Sequence, residues 1–401
     1  MRILLINDYH TLIGGAEHYF FDLIARLKQL PNMEIYWLSF GEQLQIGDDF
    51  LILPALHSKL AKGFWQFIFH PVIFWKIRQY LKQIRPDVIH LHNIKQYSSS
   101  LFAAIKNYPL VQTIHDYQAI CPTAYNIHKK NHQACKTGFR WSCWREHRMK
   151  FNRLTYLMAV LTFLFITKKQ KKYIQHFFAP SPLLVNYLQK NKFNARYIPP
   201  FIQKKTACSF KPLQPQHFLF AGQLGAHKGV RLLIEEFALA LKKNPHLYLT
   251  VAGQGVEETY LQARVKTLNI EKNILFVGWQ ADLTVYYQQC IAIIFPSIWL
   301  EAFGLVMAEA MNHGRAIIGS NRGSPTWLIE DNKNGLIFDP CKSGDLAEKI
   351  LLLADHFSLA ISLGQSAYEK IHEMIDNEKT LAQLCGVYEK LKNPSHFVRS
   401  L

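Results

Sequence analysis

The chain lacks any Cys-x-x-Cys pair, any low-complexity tract and any uninterrupted apolar run long enough to span a bilayer. Its seven cysteines fall at irregular spacing, which argues for thiols rather than a disulfide framework. A composition 49% hydrophobic and 19% charged excludes extensive disorder. The opening Met1-Arg-Ile-Leu-Leu-Ile-Asn-Asp8 is apolar for only four residues, too short for a signal-peptide core, and reads as a buried first strand. These features make the cytoplasm the expected compartment. The Gly-x-Gly-x-x-Gly that a dinucleotide-dependent dehydrogenase needs after its first strand is also missing, since residues 11 to 17 read Thr-Leu-Ile-Gly-Gly-Ala-Glu.

Acidic residues are scarce as well. Against 29 Asp and Glu stand 46 Lys and Arg, a formal charge of +17 that favours anionic partners. Zinc-finger spacing and RNA-binding signatures are absent, which turns the expectation away from nucleic acid and toward phosphorylated small molecules or an anionic membrane face.

What is present is a strand-then-helix alternation that runs almost the whole length. At 401 residues the chain has room for two domains, each with its own core. Strands are expected at Arg2 to Ile6, Ile35 to Ser39, Val88 to Leu91, Val111 to Ile114 and Phe177 to Ala179, with helices including Ala16 to Leu30 and Phe64 to Ile84. The pattern lapses from Tyr197 to Pro215 and restarts with strands at Phe218 to Phe220, Leu247 to Val251, Ile274 to Val277, Ile291 to Phe295 and Ala316 to Ile318. The expected organisation is an N-terminal doubly wound α/β domain over 1–200, a linker over 201–215 and a second doubly wound α/β domain over 216–375. A C-terminal helix within 376–401 is expected to pack back on the first domain, a choice that periodicity alone leaves open. Ligands of such sheets sit beyond the carboxyl ends of the strands, so function belongs in the loops that follow them.

Three of those loops carry chemistry. After the strand Ile291 to Phe295, Glu301-Ala-Phe-Gly304 opens a helix that carries Glu309. Eight helical residues rise about 12 Å, so the two carboxylates cannot share a metal or a proton, but they suit two points on one extended polyhydroxylated ligand. Gly304 lets amides at the helix start approach a phosphate, which the helix dipole favours. A second phosphate element lies in Phe220-Ala-Gly-Gln-Leu-Gly-Ala-His-Lys-Gly229, where Lys228 stands just before a helix. In the first half, His115-Asp116 leaves a strand end, where an imidazole and a carboxylate can share hydrogen bonds and protons.

Gly14-Gly15-Ala16-Glu17, Lys228-Gly229, Gly253-Gln-Gly255, Pro296-Ser297, Glu301-x7-Glu309 and Asn334-Gly335, in this order, resemble glycosyltransferase family 4. The resemblance covers nearly the whole chain. It implies an α/β protein of GT-B fold, two doubly wound Rossmann-like domains facing across a cleft. The implied reaction is retaining and needs no metal or other cofactor, with a nucleotide diphosphate sugar as donor. Carried over by position, Glu301 hydrogen-bonds the donor sugar, and Phe303, Gly304 and Leu305 offer backbone contacts to sugar and phosphate. Glu309 binds the ribose hydroxyls, Lys228 the diphosphate, and Gly14 and Gly15 form the loop approaching the donor. His115 is the active-site histidine near the donor sugar, with Asp116 beside it, and Gly253 lines the donor site. Gln223 stands where the family usually has an arginine, and Gly323-Ser-Pro-Thr-Trp327 departs from the usual Gly-Gly-x-Pro-Glu.

The implied function is hexosyl transfer to a saccharide or lipid-linked saccharide, in surface polysaccharide biosynthesis. Competing readings are a nucleotide-sugar epimerase of the same fold, which needs no acceptor, and a non-catalytic sugar-binding protein. Two aromatic and basic stretches, Phe64 to Arg78 and Leu154 to Lys172, suit an anionic lipid interface and imply peripheral attachment to the inner face of the cell membrane. If a metal is bound, Cys121, Cys135 and Cys143, with His128, His132 and His147 nearby, are the candidate ligands, although the spacing matches no standard zinc motif.

Overall fold

A computed structural model describes residues 1–12, 14–56, 65–122, 135, 139–140, 143, 153–205, 209–210, 212, 214 and 216–392. The chain divides into two compact units, and the main crossing from the first to the second falls between Phe201 and Ile202.

The first unit holds β1 (Arg2–Tyr9), α1 (Gly15–Lys28), β2 (Glu34–Gly41), β3 (Gln45–Ile46), β4 (Phe50–Pro54), α2 (Pro71–Ile84), β5 (Val88–Leu91), α3 (Ser98–Ile105), β6 (Leu110–Thr113), α4 (Arg153–Tyr173), β7 (His176–Ala179), α5 (Pro182–Lys190) and β8 (Ala195–Tyr197). Its sheet runs β3-β4-β2-β1-β5-β6-β7-β8, parallel throughout except for the β3–β4 pair. The central strand β1 has no exposed surface from Ile3 to Ile6. Such a continuous apolar run is what a parallel strand covered on both faces requires.

The second unit holds β9 (His217–Ala221), α6 (Val230–Leu241), β10 (Tyr248–Ala252), α7 (Glu258–Thr267), β11 (Ile274–Gly278), α8 (Thr284–Gln289), β12 (Ala292–Phe295), α9 (Leu305–Asn312), β13 (Ala316–Ser320), α10 (Pro325–Leu328), β14 (Leu336–Phe338), α11 (Asp345–Asp355) and α12 (Phe357–Met374). Its sheet is entirely parallel, in the order β11-β10-β9-β12-β13-β14. Two core clusters cover it. Leu249 and Ile294 belong to one, and Ile293 and Ile317 to the other.

The last helix, α13 (Asn377–Lys392), belongs to the first unit. Leu384, Val387 and Tyr388 lie in the same core cluster as Ile3, Leu5 and Val111. One expectation needs correction. The single helix expected from Phe64 to Ile84 is broken, and α2 begins only at Pro71. A proline disfavours helical backbone in the residue before it, and His70 is accordingly extended, at φ −104° and ψ 102°. Pro71 then supplies a preset φ at the first helical position.

Candidate functional site

The loops leaving β9, β10, β12 and β13 pack against one another at the carboxyl end of the second sheet. The β9 and β10 loops are joined by backbone bonds from Gly222 to Ala252 and from Leu224 to Gln254, each 2.9 Å. Gly253, at φ +149°, lies so close that a Cβ there would stand 1.8 Å from the Gly222 carbonyl oxygen. Close loop packing therefore accounts for a glycine that the sequence assigns to the donor site. Beside it, the turn Ala226–Lys228 ends at Gly229, with φ +73°, where a Cβ would lie 1.9 Å from the Pro296 carbonyl oxygen. Ile298 donates its amide to the His227 carbonyl at 3.0 Å. These contacts seat the Lys228 turn directly on the loop that carries Glu301.

Glu301 is buried, and its Oε1 accepts from Lys228 Nζ at 2.5 Å, Trp299 Nε1 at 2.6 Å and Ser297 Oγ at 3.1 Å. Burial alone would push this carboxyl up. The Lys228 charge and the hydrogen bonds from Lys228, Trp299 and Ser297 outweigh it and leave the group below its ordinary value. The Lys228 ammonium also stands 5.4 Å from the centre of the Trp299 ring. Ser324 donates its amide to the Glu301 carbonyl at 2.9 Å, so the divergent Gly323-Ser324 stretch holds the backbone of Glu301.

Three residues on, Gly304 caps α9 in a left-handed conformation, φ +81°, without a side-chain cap. The amides of Leu305 and Val306 are then among those that an α-helix leaves unused at its start. Phe303 is buried. Glu309 is exposed on α9 and accepts a hydrogen bond from the buried Tyr287 hydroxyl at 3.0 Å. Gln223 is exposed just after β9. Lys228 and Glu301 are thus in direct contact, and Gly304, Leu305 and Glu309 follow on one short helix. Trp299 and Tyr287 escaped the sequence reading, because a lone aromatic after a strand or in a short helix carries no spacing signal.

In the first unit, Gly14 is the extended cap of α1 and Gly15 its first residue. Nearby, Asn93 donates to the buried Glu17 carboxylate at 3.4 Å, and Asp8 accepts the amides of Lys95 and Gln96 at 2.7 and 3.0 Å. His115, just past β6, pairs with His92: Nε2 of His115 and Nδ1 of His92 lie 3.0 Å apart, with the rings stacked at 5.2 Å. Asp116 is occupied otherwise, as its Oδ1 accepts the Gln118 amide at 2.8 Å and caps the turn Tyr117–Ala119. The sequence allows the neighbouring carboxylate to share hydrogen bonds and protons with His115; in the structure the ring meets His92. The signal was the His90-Leu-His92 alternation at the end of β5.

Among the described residues, no three His, Cys, Asp or Glu side chains are placed to hold a metal. Cys121 and Cys135 are buried and Cys143 is half-buried, while His128, His132 and His147 lie outside the described residues.

The first unit also bears an apolar surface. Ile68, Phe69, Val72 and Trp75 are exposed, and so are Leu157, Leu161 and Leu164 on α4. The two sets are connected through Phe67 and Phe165, whose rings are 5.4 Å apart. Exposed Lys168, Lys171 and Lys172 follow along α4. No helix of the described residues is long and apolar enough to cross a membrane.

Two family descriptions match this chain: "Glycosyltransferase Family 4" over residues 13–204 and "Glycosyl transferases group 1" over residues 202–383. Among curated proteins, it is similar to the poly(ribitol-phosphate) alpha-N-acetylglucosaminyltransferase of Staphylococcus aureus (29% identity over 165 residues, 40% of this chain and 33% of the relative). It also resembles the lipopolysaccharide core biosynthesis glycosyltransferase LpsE of Rhizobium meliloti (27% over 150 residues, 37% of this chain and 43% of the relative). The chain therefore spans between a third and a half of the length of these two relatives. Among solved structures, HepE of Anabaena in complex with UDP aligns over 97% of this chain and all of its own, with TM-score 0.69 at 18% identity. Sucrose-phosphate synthase of Thermosynechococcus elongatus aligns over 97% of this chain and 98% of its own, with TM-score 0.71 at 17% identity. At such identities these likenesses establish the fold, which is GT-B.

Proposed function

The chain belongs to the glycosyltransferases, pairing a family 4 first half with a group 1 second half, and from that premise we propose that it is a retaining enzyme using a nucleotide diphosphate sugar. The observation that carries the proposal is the Lys228–Glu301 pair beside the uncapped start of α9. A buried anion already satisfied by three donors is a rigid acceptor for sugar hydroxyls, and a lysine with free helix amides nearby suits a diphosphate. Glu309 on α9, steadied by Tyr287, is assigned to the ribose hydroxyls. Gly14 and Gly15, at the start of α1, are assigned to the loop that approaches the donor, with Phe303 and Gln223 as further donor contacts.

Transfer is proposed to proceed on one face of the sugar. The acceptor hydroxyl bonds to the anomeric carbon as the bond from that carbon to the diphosphate oxygen breaks, and the departing phosphate takes the acceptor's proton. The products are a nucleoside diphosphate and a glycoside of retained configuration. His115 is assigned to hydrogen-bond the transferred sugar, and Asp116 supports the loop that carries it. A metal has no assigned role.

The UDP complex of HepE supports a uridine diphosphate sugar as donor. The names of the two curated relatives support a saccharide or polyol-phosphate acceptor of the bacterial surface, lipid-linked in some forms. The apolar surface joining residues 67–75 to α4, with lysines at its edge, supports seating on the anionic inner face of a membrane. A thermal-shift screen of nucleotide diphosphate sugars tests the reading. A cognate donor at 100 times its dissociation constant is expected to stabilise the fold by about 2.7 kcal/mol. A screen in which no such donor raises the melting temperature contradicts it.

A further inference from the structure

Three histidines stack at the carboxyl end of the first sheet. The His90 and His92 rings lie 4.5 Å apart, and those of His92 and His115 5.2 Å apart. His90 is fixed at both nitrogens, Nδ1 to the Tyr388 hydroxyl at 2.6 Å and Nε2 to the Thr113 hydroxyl at 2.8 Å. His92 differs. Its Nδ1 meets His115, while its Nε2 is buried and reaches no hydrogen-bond partner among the described residues.

That asymmetry decides where the protons sit. If His92 carried its proton on Nε2, a buried N–H would be left without an acceptor, the rarer and costlier kind of orphan. Phe20, set edge-to-face at 5.0 Å, offers at most a weak π contact in its place. With the proton on Nδ1, His92 donates to His115 Nε2, and only an unprotonated nitrogen remains unpaired. His115 must then carry its own proton on Nδ1. That nitrogen forms no hydrogen bond among the described residues, and the His115 side chain is only half-buried.

We propose that His92 is a positioning residue that ties Nε2 of His115 inward and fixes it as a neutral imidazole presenting an Nδ1–H donor outward. His115 is thereby a hydrogen-bond donor and has no free ring nitrogen with which to act as a base. Burial, which holds both rings well below the usual histidine range, keeps them neutral at working pH. This role fits a reaction in which the leaving phosphate, and not a side chain, takes the acceptor's proton. That link rests on the function proposed above.

The test is nitrogen NMR of the full chain labelled at histidine, at pH 7.5, with the His115 signals identified by their loss in His115→Gln. The expected spectrum shows His115 protonated at Nδ1 and bare at Nε2; a proton on Nε2 overturns the proposal. His92→Asn keeps an amide donor facing His115 and is expected to retain the tautomer, whereas His92→Leu loses it. With UDP-glucose and UDP-N-acetylglucosamine as probe donors, UDP release by His92→Leu should fall about tenfold in kcat at little change in KM, the bias that one hydrogen bond supplies. His92→Asn should recover most of it. Unchanged tautomer and turnover in His92→Leu also overturn the proposal. The tautomer is read whether or not a probe donor turns over, so its failure and that of the proposed function are told apart.

Discussion

Oε1 of Glu301 takes donors from Lys228, Trp299 and Ser297, so deleting any one of them leaves a buried carboxylate short of a partner. Trp299→Phe keeps the ring beneath the Lys228 ammonium but removes the indole N–H. It should destabilise the second unit by about 1.5–3 kcal/mol, the usual worth of a hydrogen bond to a charged group, read by urea denaturation. An unchanged midpoint would show that the indole bond contributes nothing. Gly229→Ala places a Cβ against the Pro296 carbonyl in a left-handed backbone. Strain of this kind costs about 1–3 kcal/mol, and the displaced turn should carry Lys228 away from Glu301 and weaken nucleotide binding. Of this cradle, Lys228 and Glu301 drew notice in sequence because each lies in a loop that follows a strand. Trp299 and Tyr287 did not, since which side chain a carboxylate selects depends on rotamers and on loops packed from elsewhere in the chain.

Among the elements, α13 shows how a distant segment completes a unit. Its Tyr388 is buried against His90, and Lys392 reaches Asp87 at 3.2 Å. Tyr388→Phe should cost about 0.5–1.5 kcal/mol, the net worth of one neutral hydrogen bond, and should broaden the His90 imidazole signals. Unchanged stability and spectra would place the hydroxyl outside the network. The aromatic segment ahead of α2 and the exposed face of α4 invite a different measurement. Phe69→Ser with Trp75→Ser should abolish flotation with vesicles rich in phosphatidylglycerol and leave nucleotide binding intact; flotation equal to that of the unaltered protein would remove the membrane assignment. Strands buried on both faces were legible as short apolar runs. The edge strands β3, β8 and β14 and the early strand β4 were not, because two to five residues bounded by irregular backbone carry too little periodicity to separate them from loop. The break before α2 was readable from His70-Pro71, but the apolar pattern runs through it.

At the scale of the whole molecule, both units store neutral histidines. Burial lowers His90 to about 3 and His115, His217 and His313 to about 4, and it holds His92 well below the ordinary value. Below pH 6.5 the unfolded chain binds protons at these positions and the folded one does not, so stability rises with pH in this range. It should therefore fall as pH drops from about 6.5 toward 4, each histidine contributing up to about 1.4 kcal/mol per pH unit. Glu301 works in the same sense, its share lost as pH falls through its lowered range. Glu17 and Asp116, which burial raises, work against it but are outnumbered. Denaturation free energies equal at pH 7.5 and pH 5 would contradict this account. The two-unit organisation was visible in sequence because the strand-and-helix alternation stops near Tyr197 and restarts near Phe218. The expected attachment of the last helix to the first unit was not fixed by periodicity, since its apolar stripe would suit either sheet.

The central claim, that Glu301 on its Lys228, Trp299 and Ser297 cradle handles the donor sugar, is tested most directly by sugar transfer in Glu301→Gln. That variant keeps the shape of the side chain and removes its charge. With a donor that shifts the melting temperature of the unaltered protein, and with saccharide acceptors, the account predicts that kcat falls by about 10²-fold or more, the scale of losing one preorganised electrostatic group, while the fold stays intact. Full transfer by Glu301→Gln would contradict it.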